Sequence, residues 1–133
     1  MSLTHINPAG MHQSPAFSQA VVTSGPGRLL VIGGQNGVDA SGQVVGPGLA
    51  EQTAQALRNV LALLAEVGAT QENVARLGIY LVAGQDVAAG YAASAEVWGM
   101  HPTTVTVLQV ADLGVPGALV EIEALAYVPD EVR

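Results

Sequence analysis

Along "ALVEIEALAYV", Ala118 to Val128, the chain alternates between two kinds of position. Strand side chains point to opposite faces in turn, so Val120, Ile122, Ala124, Ala126 and Val128 share one side, and Leu119, Glu121, Glu123, Leu125 and Tyr127 the other. The first side reads as core. The second mixes acid with Leu and Tyr, which suits neither a dry interior nor an ordinary wet face. Similar β-prone runs occur at "AFSQAVV" (Ala16 to Val22), "RLLVIGG" (Arg28 to Gly34), "NVARLGIYLVA" (Asn73 to Ala83) and "TTVTVLQV" (Thr103 to Val110). "SGPG" supplies the Gly and Pro of a tight connection and predicts a hairpin between the first two of these runs. "VDASGQVV" (Val38 to Val45) predicts a second turn with short flanking extensions.

The period changes between Leu49 and Val67. Ala50, Ala54, Leu57, Leu61 and Leu64 form a stripe, widened by Val60, Leu63 and Val67, while Glu51, Gln52, Gln55, Arg58, Asn59 and Glu66 fall mostly elsewhere. That spacing predicts a helix, entered after Pro47 and Gly48 and ended by Gly68 in a left-handed conformation. "DVAAGYAASAEVWG" (Asp86 to Gly99) predicts a second, Ala-rich helix that carries Gly90 inside it. The order is β-β-α-β-α-β-β, with room for an extra N-terminal strand. Single strands between helices, flanked by hairpins, imply an α+β fold: a mixed sheet with both helices packed on one face. The Glu121/Glu123 face is then left bare, and Leu119, Leu125 and Tyr127 need cover that another subunit's sheet could give. Glu123 itself reads as solvated, or bonded to backbone amides at such an interface.

Composition narrows the classes. A chain of 133 residues is one domain, spanning 1–133, with a core that needs no metal or disulfide staple. Cysteine is absent, which removes disulfides, a thiolate nucleophile and Cys-ligated metal sites. No apolar run approaches the ~20 residues of a spanning helix and no secretion signal is readable, so the expectation is a soluble, cytoplasmic protein without membrane contact. Only 11% of residues are charged against 50% hydrophobic, which points to apolar area buried between subunits. The net charge of −7, with Arg28, Arg58, Arg76 and Arg133 scattered and no lysine, argues against nucleic acid as a partner.

Conventional catalytic patterns are sparse. His5, His12 and His101 show no metal-ligand spacing, and His101 before Pro102 reads as a loop residue. No base is readable beside Ser18 in the sequence, which disfavours a serine triad. "GGQNG" does not fit a phosphate loop and reads as a turn.

Five segments together carry a resemblance over nearly the whole chain: "INPAG", "PAFSQAVV", "VIGGQNGVDASGQVV", "QTAQALRNVLALLAEVGA" and "VEIEALA". They resemble the Rid family (YjgF/YER057c/UK114, also described as endoribonuclease L-PSP). The resemblance implies a chorismate-mutase-like fold and a homotrimer whose sheets line a central β-barrel. It also implies clefts between subunits that hydrolyse the enamine or imine products of pyridoxal-phosphate dehydratases to a 2-oxo acid and ammonia, with no cofactor and no metal held by the protein itself. In that family a last-strand glutamate orients water, an arginine on the penultimate strand holds the substrate carboxylate, and a glycine amide, a tyrosine and often a cysteine complete the site. Matched by motif, the glutamate is Glu121, the glycine Gly34 and the tyrosine position Phe17. The arginine position holds Val105, or Thr104 if a one-residue length difference lies on the other side, and Val107 stands for the cysteine.

The lost arginine matters because an Arg–carboxylate pair is bidentate and charge-assisted, which neither Val nor Thr reproduces. Arg76 could enter from the neighbouring strand, or be a surface or structural residue. Three functions stay open: a trimer that binds a small metabolite in its clefts with weak or altered enamine/imine hydrolysis, a 2-iminoacid deaminase with a substitute cation, and a ribonuclease or translation inhibitor. The charge balance disfavours the third, and the missing arginine ranks the first above the second.

Overall fold

The computed structural model describes residues 2–130. Six strands and two α-helices follow in the order β1 (Leu3–Ile6), β2 (Ala20–Thr23), β3 (Gly27–Asn36), α1 (Leu49–Glu66), β4 (Val74–Val82), α2 (Val87–Trp98), β5 (Thr104–Val110) and β6 (Val120–Pro129), with a 3-10 turn at Gln71–Asn73. The α+β class is as expected, and the extra N-terminal strand is present. The main sheet has the order β3-β6-β4-β5 and is mixed: β6 runs antiparallel to both β3 and β4, while β4 and β5 are parallel. A parallel pair needs a long crossover, which α2 provides.

One expected pairing is wrong. The "SGPG" connection does not close a hairpin: β2 pairs antiparallel with β1 in a separate two-stranded sheet, from Leu3 opposite Thr23 to Ile6 opposite Ala20. Its strand is also shorter than the run Ala16 to Val22. Gln19 donates its amide to Asn7 Oδ1, and Ser18 donates its amide to Thr103 O, so Ala16–Gln19 serves as a strap to the head of β5. "GGQNG" likewise corrects: Gly33 to Asn36 belong to β3, whose register slips between Ile32 and Gln35. A turn does lie further on, where Val38 bridges Val44 and the Asp39 carboxylate accepts from the amides of Ser41 and Gln43 and from the Ser41 hydroxyl. Those bonds, led by the Ser41 hydroxyl, hold the Asp39 carboxyl below its ordinary value.

The alternation on β6 holds throughout: Val120, Ile122, Ala124, Ala126 and Val128 are all buried, and the odd positions are half-buried. α1 packs over β3 and β6, joining Leu57, Val60 and Leu64 to that core. Its buried face is set off from the expected stripe. Gln52 and Thr53 are inside, whereas Leu63 is exposed. Gln52 is buried because it is satisfied: Nε2 donates to Gly46 O and Gly117 O, and Oε1 accepts the Leu119 amide at 2.8 Å. Asn59 similarly donates to Asn36 O and Val38 O, which ties α1 to the end of β3. Gly68 ends the helix at φ +72°, as its position predicts.

α2 is capped by Asp86, whose carboxylate accepts the Ala89 amide. It leans on α1 through Gly90, where an added Cβ would lie 2.9 Å from Leu49 Cδ2. Only Gly90 and Trp98 of this helix are buried, so α2 stands off the sheet rather than sealing it.

Candidate functional site

The pairing register decides which predicted residues can meet. Opposite residues of a ladder share a face, so Tyr80 faces the same way as Glu121, and Gly78 the same way as Glu123. Arg76 sits on that face as well, opposite Leu125. This is the side away from the helices. Gly34 lies beneath Glu121: a Cβ there would approach the Glu121 Cδ to 2.7 Å. The carboxylate therefore rests against bare backbone at the β3 irregularity, with Asn36 Nδ2 donating to its Oε1 at 3.4 Å and to Val120 O at 3.0 Å. Glu121 and Gly34 form one half of the predicted constellation.

The other half is elsewhere. Val105 pairs with Leu77 and Val107 with Ile79, which puts both on the helix side of the sheet. There, together with Phe17 from the strap, they line a cavity of about 370 Å³ beneath α2. Phe17 stacks loosely on His12, with ring centroids 6.3 Å apart and planes tilted by 34°. Within one chain the sheet itself separates Glu121 and Gly34 from Phe17, Val105 and Val107. Thr104, the alternative at the arginine position, is committed to structure, since its hydroxyl donates to Ala75 O at 2.6 Å.

Glu123 has a side-chain partner, which the sequence did not assign. The Tyr80 hydroxyl donates to its Oε1 in a short hydrogen bond. That bond, reinforced by the negative charge of Glu123, raises the Tyr80 phenol above its ordinary pKa; desolvation and Glu121 add to the effect, and the charge of Arg76 opposes it. Glu121, Glu123, Tyr80 and Arg76 thus form one polar ladder, with Thr104 and Thr106 beside it on β5, on a face that also exposes Leu29, Val31 and Leu108.

Two histidines also gain partners. His5 Nδ1 lies 2.7 Å from Ser18 Oγ, so Ser18 does have a base beside it, supplied by the β1 strand that sequence could not pair. Ser18 is buried, and the pair ties the strap to β1. His101 Nδ1 meets Glu72 Oε1 at 2.8 Å, bridging the loop before β5 to the 3-10 turn. Among the described residues no group of three His, Asp or Glu could hold a metal ion, and no helix is long and apolar enough to cross a membrane.

The sequence pattern of the family described as Endoribonuclease L-PSP matches residues 10–128. The chain belongs to the Rid (YjgF/YER057c/UK114) family. A Rid protein of Yersinia pestis, YyfB, is similar at 35% identity and a TM-score of 0.83, over 95% of this chain and 98% of that one. A YjgF/YER057c/UK114 member from Mycobacterium tuberculosis is 34% identical with a TM-score of 0.63, over 96% of this chain and all of its own. A RutC family protein of Pyrococcus horikoshii is 32% identical over 112 residues, which span 84% of this chain and 86% of the relative. The Rid fold accounts for the mixed sheet with its helices on one face.

Proposed function

We propose that this Rid protein works as a homotrimer that binds a small metabolite in clefts between its subunits, with weak or altered hydrolysis of enamines and imines. The observation that carries this reading is the division of the predicted site by the sheet: Glu121 over Gly34 on the bare face, and Phe17, Val105 and Val107 at the helix-side cavity. One chain cannot bring these groups to one substrate. A neighbouring copy that lays its β5 edge and strap over the bare face completes the constellation and covers Leu29, Val31 and Leu108, which are half or more exposed in the single chain.

In such a cleft Glu121 is placed to accept a proton from water and to return it to nitrogen. The water oxygen adds to the imine carbon while the C=N π pair goes to nitrogen and takes up that proton; the carbinolamine O–H proton then moves to nitrogen as the C–N bond breaks, and a carbonyl compound and ammonia leave. With Val105 where a carboxylate-holding arginine is expected, a 2-iminoacid meets the charge of Glu121 without a counter-charge. Hydrolysis of 2-aminoacrylate-type imines is therefore expected to be slow. Arg76 favours a second reading, in which activity persists: it shares the face of Glu121 and Glu123, and its charge is felt at Tyr80.

The test is ammonia release in a dehydratase-coupled assay. Val105→Arg with Phe17→Tyr is expected to raise the rate about tenfold or more, the effect of one charge-assisted hydrogen bond felt in the transition state. Glu121→Gln in that background is expected to remove the gain. Fast hydrolysis by the native chain that is lost in Arg76→Gln would instead establish the second reading.

A further inference from the structure

Among the described residues, Thr53 is the one on the helix side of the sheet whose buried side-chain polar atom lacks a partner. Its side chain on α1 is 5% exposed, and its hydroxyl is buried without a hydrogen-bond partner. A buried hydroxyl left unpaired costs about 1–3 kcal/mol, so such groups are normally satisfied by protein, water or ligand. Thr53 lines the cavity of about 370 Å³ under α2, and also an adjoining recess of about 90 Å³ reached between Leu49, Gly90 and Val120. A volume of this order is that of a small-molecule site rather than a packing defect.

The rest of the lining defines the guest. Leu57, Leu77, Ile79, Trp98, Val105 and Ile122 give it apolar walls. Among the described residues no Lys or Arg lines it, and its titratable groups are Tyr91 and His101, the latter already engaged with Glu72. A carboxylate or phosphate buried here would lack a counter-charge. We infer that the cavity beneath α2 binds a neutral, mainly apolar small molecule bearing one hydrogen-bonding group, which the Thr53 hydroxyl anchors. The inference names the ligand class for the cleft proposed above and shares Phe17, Val105 and Val107 with it, yet the cavity exists within one protomer and its occupancy can be read without the trimer or the hydrolysis.

Trp98 makes the measurement direct, because it is the only tryptophan of the chain and forms a wall of the cavity. Three probes of similar size separate the possibilities: benzyl alcohol, toluene and benzoate, followed by Trp98 emission and by melting temperature. Benzyl alcohol is expected to bind, toluene about fivefold more weakly for want of one net hydrogen bond, and benzoate more than about thirtyfold more weakly. Thr53→Val, which keeps the shape and removes the hydroxyl, is expected to bring benzyl alcohol down to the affinity of toluene and leave toluene unchanged. Ser94→Leu, which fills the cavity from α2, is expected to abolish binding of both. Benzoate binding as tightly as benzyl alcohol would overturn the ligand class, and an unchanged benzyl alcohol affinity in Thr53→Val would overturn the anchor. The absence of any response to benzyl alcohol and toluene at millimolar concentration would overturn the site itself. These outcomes are independent of the particle mass and ammonia release that test the proposed function.

Discussion

Two side chains on the bare face are held in ways that single substitutions can read. Glu121 lies where a Cβ on residue 34 would have to be, at 2.7 Å from its Cδ, so Gly34→Ala must push the carboxylate off its seat. In the Val105→Arg, Phe17→Tyr protein this change is expected to cost most of the gained ammonia release while the circular dichroism spectrum stays native. A fully active Gly34→Ala protein would show that the seat does not matter. Tyr80 offers a titration. Its pKa is raised above 10.0, first by the hydrogen bond to Glu123 and then by that carboxylate's charge. A raised value in the folded state means that the contact stabilises the fold below the ordinary tyrosine pKa and is lost as pH climbs through the higher folded value. Tyrosinate absorbance of the native chain minus that of Tyr80→Phe should therefore rise with a midpoint above pH 10.0, and the melting-temperature advantage of native over Tyr80→Phe should fade as pH climbs through that midpoint. A midpoint at or below 10.0 would contradict the pairing.

Helix α1 is anchored at the level of the element by amide side chains as much as by its leucines. Gln52, 1% exposed, joins the loop before α1 to the start of β6 through Gly46, Gly117 and Leu119. Gln52→Leu keeps similar volume but strands one backbone donor and leaves two carbonyls short, so a loss of about 2–4 kcal/mol is expected in urea unfolding. Thr53→Val, one residue on, has the opposite sign. It removes a buried hydroxyl that has no partner, and the unliganded protein should melt higher. The contrast between neighbours tests whether satisfaction, rather than polarity, decides what α1 tolerates inside.

At the scale of the whole molecule the sheet has a covered side and a bare one. Leu29 and Val31 are each 66% exposed on the bare side, beside Leu125 and Tyr127. Light scattering of the native protein is expected to give three times the chain mass of 13.5 kDa, and Val31→Glu to give a folded species of lower mass. A monomeric native protein would remove the inter-subunit cleft. The family description contains the word endoribonuclease, but four arginines, no lysine and a net charge of −7 leave little with which to hold a phosphate backbone. Mixed-sequence RNA is expected to show no salt-dependent gel shift, and a complex that weakens steeply with salt would reverse that expectation.

What the sequence by itself determined is what neighbouring residues decide between them. The period of two on β6 assigned Val120 to Val128 to core and Glu121 and Glu123 to the far face, the period of the 49–67 segment gave α1, and the five matched segments gave the family. Tertiary structure decided what depends on partners distant along the chain. β2 joins β1 rather than β3, because ladder hydrogen bonds are satisfied by whichever strand lies alongside, and turn chemistry at "SGPG" cannot name it. Gln52 and Thr53 sit inside, because burial of a polar side chain is set by the groups opposite it: three backbone partners for one, and an open cavity for the other. His5 finds Ser18 only through the β1–β2 pairing. Glu121 and Val105 fall on opposite faces, because register across three strands fixes sidedness and a motif records only the order of residues, not the face each will occupy.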